Sequence, residues 1–397
     1  MSSRAGALLV HTGGPTPVIN ASLLGVWEEA RKHSEIECLY GARFGFDGVL
    51  REDFIDLSSQ SPDIMNAVGR APSSALGTSR HELSGADHER IVSILRNRGI
   101  RFLFCTGGNG SMETARQLWG LTKDSKDPIQ IIGIPKTIDN DLMETHHTPG
   151  YGSAARFFAC AARDIGADNR ALPGQVEFIE VLGRNVGWLA AATSLSRRGA
   201  DYPPHLIYFP ERRLPAAQLL DDVDRVFRRL NRCVVAVCEG QLDERGEPFG
   251  ADVRSGSRGS LAMNLAHRLA LLVTERLKLR ARSEKPGLLG RSSAGFISDA
   301  DWTAARSCGQ RAVIAAAQEQ SGNMVTLLGP TVPGQPAETG LAPLDRVALR
   351  ERHFPEQWIA ATGNDVTPDF RAYALPLTGE IAAHTDLAGT GHAGCKN

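Results

Sequence analysis

Net charge of either sign is missing from this 397-residue chain: 44 Lys and Arg stand against 45 Asp and Glu, leaving −1. Nothing global draws it to nucleic acid or to an anionic membrane, so any phosphate binding must come from local arginines and loops. Paired cysteine motifs are missing too. Cys38, Cys105, Cys160, Cys233, Cys238, Cys308 and Cys395 form no CxxC and no ligand-like cluster with histidine. Their number is odd and most lie in apolar runs, which predicts buried reduced thiols in a reducing compartment. No signal-peptide apolar core follows M-S-S-R-A-G, and no apolar run approaches the roughly 18 residues needed to span a bilayer. The expectation is a soluble, cytoplasmic protein with no nucleic-acid or membrane partner.

What is present is ordinary globular material, 42% hydrophobic and 22% charged. The length is too great for one simple core and predicts two domains or one large α/β body. Two strand–glycine loop–helix units stand out. Ala7–His11 runs into T-G-G-P-T-P-V-I-N-A (12–21) and then a helical stretch; Ile100–Cys105 runs into T-G-G-N-G-S-M-E-T-A (106–115) and another helix. Such units aim free backbone N–H groups and a helix N-terminus at a phosphate. The first loop is neither a Walker nor a GxGxxG pattern, and a plain tight turn is as good a reading of it alone. The second is stronger, with three glycines in four residues and Ser111 as a candidate helix cap.

The stretch that organises the rest is I-I-G-I-P-K-T-I-D-N-D (131–141). A buried strand ends at Pro135, and Lys136, Thr137, Asp139 and Asp141 follow at once. A cation, a hydroxyl and two carboxylates at a strand's carboxyl end sit where open α/β sheets bind ligands. In extended backbone Asp139 and Asp141 would point to one side, so that one takes a proton while the other holds a neighbour or a metal. A polar turn satisfying its own backbone is the bland alternative. S-S-A-L-G-T-S-R (73–80) adds an arginine suited to phosphate, although a solvated surface arginine explains it equally well in isolation. Further strands are expected at Glu37–Tyr40, Val176–Leu182, His205–Phe209 and Cys233–Cys238, with helices at Tyr151–Asp164, Pro215–Leu230, Ser260–Leu279 and Trp302–Gln320. Residues 282–293 read as a turn-rich segment, 245–260 as a mobile loop, and 379–397 as a flexible tail.

In order along the chain, T-G-G-P-T-P-V-I-N-A, A-L-G-T-S-R, T-G-G-N-G-S, P-K-T-I-D-N-D, E-V-L-G-R, C-E-G and P-G-L-L-G-R-S-S resemble the phosphofructokinase family, over nearly all of it to about Pro376. P-E-Q-W-I and N-D-V-T-P-D-F-R-A-Y are similar to the branch with pyrophosphate-dependent and actinobacterial members. The resemblance implies two doubly wound parallel-sheet α/β domains facing a cleft: 1–150 plus about 288–310 binding the donor phosphate, 151–287 plus about 311–378 binding the acceptor. It implies a homodimer or homotetramer that uses Mg²⁺ and moves a phosphoryl group from ATP, or from pyrophosphate, to a sugar-type acceptor. Asp139 would be the general base, with Thr137 and Asp141 positioning the acceptor and Arg80 and Lys136 among the catalytic cations. Gly13, Gly14, Gly107, Gly108, Asn109, Gly110 and Ser111 would hold the donor phosphates. Leu182, Gly183, Arg184, Glu239, Arg282 and Arg291 would join the acceptor pocket.

Several positions depart from that pattern. Asn109 stands where the family has an aspartate that helps hold Mg²⁺, so Asp139 or Asp141 would carry more of the metal. Gly110 resembles ATP users, whereas Lys136 occurs in many pyrophosphate users. Gln175 replaces an arginine that reaches a neighbouring subunit's sugar phosphate, Leu288 replaces a histidine, and Val18 a glycine. Each lost charge-assisted bond is worth about 1.5–3 kcal/mol, which points to an acceptor other than fructose 6-phosphate: another sugar, sugar phosphate, polyol or nucleoside. The competing readings are a pyrophosphate-dependent 6-phosphofructokinase and a catalytically impaired regulatory paralogue.

Overall fold

The computed structural model describes residues 5–249, 253–256 and 259–385. Seven strands form the first sheet in the order β13-β12-β5-β4-β1-β2-β3. They are β1 (Ala5–His11), β2 (Ile36–Ala42), β3 (Phe54–Asp56), β4 (Ile100–Gly107), β5 (Gln130–Pro135), β12 (Asn323–Leu327) and β13 (Thr339–Pro343). β1, β2, β4, β5 and β12 run parallel, with β3 and β13 antiparallel at the two edges. The second sheet is fully parallel, in the order β11-β6-β8-β7. Its members are β6 (Gln175–Val181), β7 (Leu206–Tyr208), β8 (Cys233–Cys238) and β11 (Arg280–Glu284). A short antiparallel hairpin joins β9 (Val253–Gly256) to β10 (Gly259–Ala262). The parallel strands are near-continuous apolar runs because helices cover both faces: every residue of β5, β6 and β8 is buried. Among the described residues no helix is long and apolar enough to cross a membrane.

Two expectations give way here. The segment from 311 onward does not go wholly with the second half. β12 pairs with β5 and carries β13 to the edge of the first sheet, and the helix Asp299–Ala317 lies across the helix Ile19–Ala30. That crossing needs glycine on both sides: a Cβ on Gly25 would meet Arg306 O at 2.0 Å, and one on Gly309 would meet Ser22 O at 2.1 Å. The chain returns to the second half only later, where Phe354, Ile359, Phe370 and Leu377 share a core with Tyr151, Trp188 and Phe209. The second correction concerns 282–293. Its start is a strand, because R-A-R-S-E alternates in exposure along the sheet edge before Pro286 ends it. The expected mobile loop at 245–260 lies partly, and the tail from 386 wholly, outside the described residues.

Candidate active site

β2 leaves β1 on one side and β4 returns on the other, so the topological switch point falls between β1 and β4. Both glycine loops leave the sheet at that point, where an open sheet has its crevice. They are tied together: Thr12 N donates to Thr106 O at 3.0 Å, and the Thr12 and Ser111 hydroxyls share a hydrogen bond. That bond corrects the reading of Ser111 as a cap. Gly108 is the N-cap of the helix Asn109–Thr122, with no side-chain cap bond, and Ser111 spends its hydroxyl across the crevice. Gly107 leaves no room for a side chain, since its Cβ would lie 2.3 Å from Ser111 Cβ, which no rotation moves.

Lys136 leaves β5 buried, 3% exposed, and turns toward the first loop. Its ammonium donates to Thr12 O at 2.9 Å and to Gly14 O at 2.6 Å. The Arg80 loop closes the same turn from the other side: Gly13 N donates to Ser79 O at 3.0 Å, and the Thr78 hydroxyl to Gly13 O at 2.6 Å. A Cβ on Gly14 would lie 2.6 Å from Arg291 Nη1 and 3.5 Å from Arg80 Nη2. Three cations from three separate elements thus meet at Gly13–Gly14, a density of positive charge that favours an anion. Beside them His11 is fully buried, and burial, followed by the Lys136 charge, lowers it to about 3, so its ring is neutral at physiological pH.

Beyond Lys136 the backbone is not extended. Asn140 adopts φ +57°, so the strand-like alternation expected for Asp139 and Asp141 does not apply. Asp139 N donates to Thr137 Oγ1 at 3.0 Å, and Thr137 N to Pro149 O at 3.2 Å. Asn109 Nδ2 donates to Asp141 Oδ2 at 3.0 Å, while Asn109 Oδ1 and Asp141 Oδ1 are both buried without a hydrogen-bond partner. Burial pushes the Asp141 carboxyl up; the Thr137 hydroxyl and the Asn109 amide draw it down, against the charge of Glu351.

The loop after β6 brings Leu182, Gly183 and Arg184 beside Glu239 at the end of β8. Arg184 takes φ +49°, and Gly240 has no room for a Cβ, which would meet Arg184 O at 1.7 Å. Glu239 is raised by burial, against the lowering charge of Arg184. Arg282 is not brought into this group: it is exposed in the middle of edge strand β11, opposite Glu177 in register. Gln175 is buried at the start of β6 with neither amide atom partnered, and Leu288 is 64% exposed. Sequence reasoning missed Arg352, which donates to the carbonyls of Asn140 and Asp141, Tyr373, which accepts from the Asn140 side chain, and Trp188, which packs on Arg352. No local signal marks them, because the segments that carry them lie far apart in the chain.

Three cations gathered at a sheet switch point, with carboxylates leaving the same region, form the kind of arrangement that phosphoryl transfer requires. A family model described as phosphofructokinase matches residues 7–316. The chain is 39% identical over 381 residues, 94% of each protein, to a pyrophosphate–fructose 6-phosphate 1-phosphotransferase of Rhodospirillum rubrum. It is 30% identical over 353 residues, 88% of this chain and 90% of the other, to a sulfofructose kinase of Alkalicoccus urumqiensis. The crystal structure of a pyrophosphate-dependent phosphofructokinase from Nitrosospira multiformis superposes with a TM-score of 0.86 at 32% identity, covering 97% of this chain and 94% of that one. The chain belongs to the phosphofructokinase family.

Proposed function

We propose that this enzyme moves the terminal phosphoryl group of ATP to a hydroxyl of a sugar-type acceptor, with Asp139 accepting the hydroxyl proton. The convergence of Lys136, Arg80 and Arg291 on Gly13–Gly14 is the observation that carries the reading. Phosphoryl transfer asks little of the protein beyond positioning and charge stabilisation, and these cations supply the charge. Asp139 follows Lys136 out of β5 and answers to the role of base, with Thr137 holding its backbone. Leu182, Gly183, Arg184 and Glu239 are assigned to the acceptor. ATP is favoured over pyrophosphate by Gly110, which is exposed at the start of its helix and adds no carboxylate there. Phe44 supports the same choice: 53% exposed and packed on Gly77 of the Arg80 loop, it offers a base an aromatic face. Pyrophosphate is the second reading, favoured by buried Lys136 and by the names of several relatives.

Mg²⁺ fits the residues present. Among the described residues no three His, Cys, Asp or Glu side chains gather as a metal cage, but Mg²⁺ commonly uses one or two carboxylates plus phosphates and water. Asp141 Oδ1 and Asn109 Oδ1, buried and unpartnered, are hard oxygens of the right kind. Bound there, Mg²⁺ would neutralise developing phosphate charge. The acceptor's remote end meets fewer cations within one chain than a sugar phosphate would use, because Gln175 and Leu288 supply none and Arg282 points elsewhere. A sugar other than fructose 6-phosphate is therefore the acceptor proposed, and the assembly proposed is a homodimer or homotetramer.

The test is a turnover screen with Mg²⁺, giving ATP or pyrophosphate with sugars, ketose phosphates, sulfonated sugars, polyols and nucleosides, products read by mass. ATP-dependent turnover on an acceptor other than fructose 6-phosphate is expected. Efficient phosphorylation of fructose 6-phosphate overturns the acceptor assignment, turnover with pyrophosphate alone overturns the donor, and silence with donor still bound overturns the enzymatic reading.

A further inference from the structure

The loop that carries Asp139 and Asp141 is held from outside its own sheet. Asn140 is fully buried, and both its side-chain polar atoms and its carbonyl are occupied. Nδ2 donates to the Tyr373 hydroxyl at 2.9 Å, Oδ1 accepts from Thr148 N at 2.9 Å, and its carbonyl accepts from Arg352 Nε at 3.0 Å. Arg352 continues along the same loop. Its backbone N donates to Asp141 O at 2.8 Å, and Nη1 donates to Thr145 O at 2.6 Å and His146 O at 2.8 Å. The Tyr373 hydroxyl, which takes the Asn140 bond, donates onward to His146 O at 2.9 Å. One guanidinium and one phenol therefore close the loop 140–146 on itself.

The same guanidinium reaches the other half of the molecule. It lies 4.6 Å over the ring of Trp188, and Trp188 Nε1 donates back to Arg352 O at 3.1 Å. Trp188 opens the short helix that follows Leu182, Gly183 and Arg184. A single side chain thus touches the backbone of the loop from β5 and the element that follows the loop from β6. We infer that Arg352 is a positioning residue for phosphoryl transfer: through Asn140 and Trp188 it fixes the loop of Asp139 and Asp141 against the Leu182–Arg184 loop. The inference rests on the reaction proposed above, and extends it to a residue that acts through the backbone of the loop.

The physical case is one of rigidity. A loop whose central residue sits at positive φ is soft unless its surroundings fix it. Five planar donors on one rigid fork can satisfy several carbonyls at once, as an ammonium cannot, and stacking on an indole face fixes the plane of the fork. Displacing a base by about 1 Å costs on the order of 100-fold in rate. Loss of this clamp is therefore read in kcat rather than in donor binding.

The experiment compares wild type with Arg352→Gln, Arg352→Ala, Arg352→Lys and Tyr373→Phe. Measured quantities are kcat and KM, affinity for a non-hydrolysable ATP analogue and for methylene diphosphonate, thermal stability, and amide exchange over 137–146. Arg352→Gln is expected to lose about 100-fold in kcat with probe affinity within threefold of wild type and faster exchange in that segment. Arg352→Lys falls between, Tyr373→Phe loses less than Arg352→Gln, and added guanidinium ion restores part of the Arg352→Ala rate. A stable Arg352→Gln enzyme with wild-type kcat overturns the inference. So does parallel loss of kcat, probe affinity and stability without guanidinium rescue, which marks a merely structural residue. Should the Arg352 variants fail to fold, Tyr373→Phe with unchanged kcat and unchanged exchange overturns it. A wild-type enzyme that phosphorylates nothing sinks the reaction instead, and exchange over 137–146 in Arg352→Gln then decides the positioning role alone.

Discussion

Asn109 holds Asp141 by donating through Nδ2 to Oδ2 at 3.0 Å, and each residue keeps one buried oxygen unpartnered. An amide here does what the aspartate of the family pattern could not: it stabilises a buried carboxylate in the absence of a cation. The substitution Asn109→Asp therefore replaces a hydrogen bond with a repulsion between two carboxylates. Stability without metal is expected to fall by about 1.5–3 kcal/mol, and the gain in thermal stability on adding Mg²⁺ to exceed that of wild type. Calorimetry with and without Mg²⁺ checks this; equal Mg²⁺ responses would count against a metal at this pair.

Asp139→Asn should cost about 10²–10⁴ in kcat, the range of a lost general base, while donor affinity stays within a few-fold. Steady-state kinetics with equilibrium binding of the ATP analogue separates the two. Residual turnover near the wild-type rate would remove Asp139 from the role of base.

Lys136→Met removes the charge that ties Thr12 O and Gly14 O to β5 while keeping a flexible side chain of similar length. Donor affinity is expected to drop at least tenfold, because the first phosphate loop loses both an anion partner and its anchor. Titration calorimetry with each donor measures it, and an unchanged affinity would place the phosphates elsewhere.

Glu177 gives a pH prediction. Burial, with Glu284 and Asp168 adding to it against Arg282 and Arg280, pushes its carboxyl from 4.5 up to about 7. The folded state binds the extra proton between those values, so this contribution is present below about pH 4.5 and lost as pH rises through about 7. A shift of that size corresponds to about 3 kcal/mol. The stability of Glu177→Gln relative to wild type should therefore be higher at pH 8 than at pH 5 by about 2–3 kcal/mol. Urea unfolding at the two pH values tests this; a difference that does not change with pH would show that Glu177 titrates normally.

Gly25→Ala should destabilise by about 2–3 kcal/mol, since the added Cβ meets the backbone oxygen of Arg306 at 2.0 Å and no side-chain rotation relieves it. Thermal unfolding monitors the loss. A neutral variant would mean that the crossing of the two helices can widen without cost.

The parallel strands were legible because their burial on both faces leaves continuous apolar runs, as in I-I-G-I-P and C-V-V-A-V-C. The glycine loops were legible because a tight strand-to-helix turn needs residues without a Cβ. β11 was not, because an exposed edge strand of alternating charge, R-A-R-S-E, carries no apolar signature. β12 and β13 were assigned to the wrong half because sheet order depends on pairing across the chain, and no local property of Asn323–Leu327 names β5 as its neighbour.

By itself the sequence determined which side chains stand at each strand end: Lys136, Thr137, Asp139 and Asp141 after β5, Arg80 on its loop, Glu239 after β8. Those identities follow from local backbone demands and from the kinds of side chain that can bind an anion or take a proton. Tertiary structure alone decided which of them meet. Arg291, more than 270 positions after Gly14, arrives beside it, whereas Arg282, nine residues before Arg291, faces outward from a sheet edge. The φ of Asn140 and the grip of Arg352 and Tyr373 on it also belong to that level. Both depend on a C-terminal segment folding back over the loop, and the free energy of such packing is a property of the assembled core rather than of any stretch of chain.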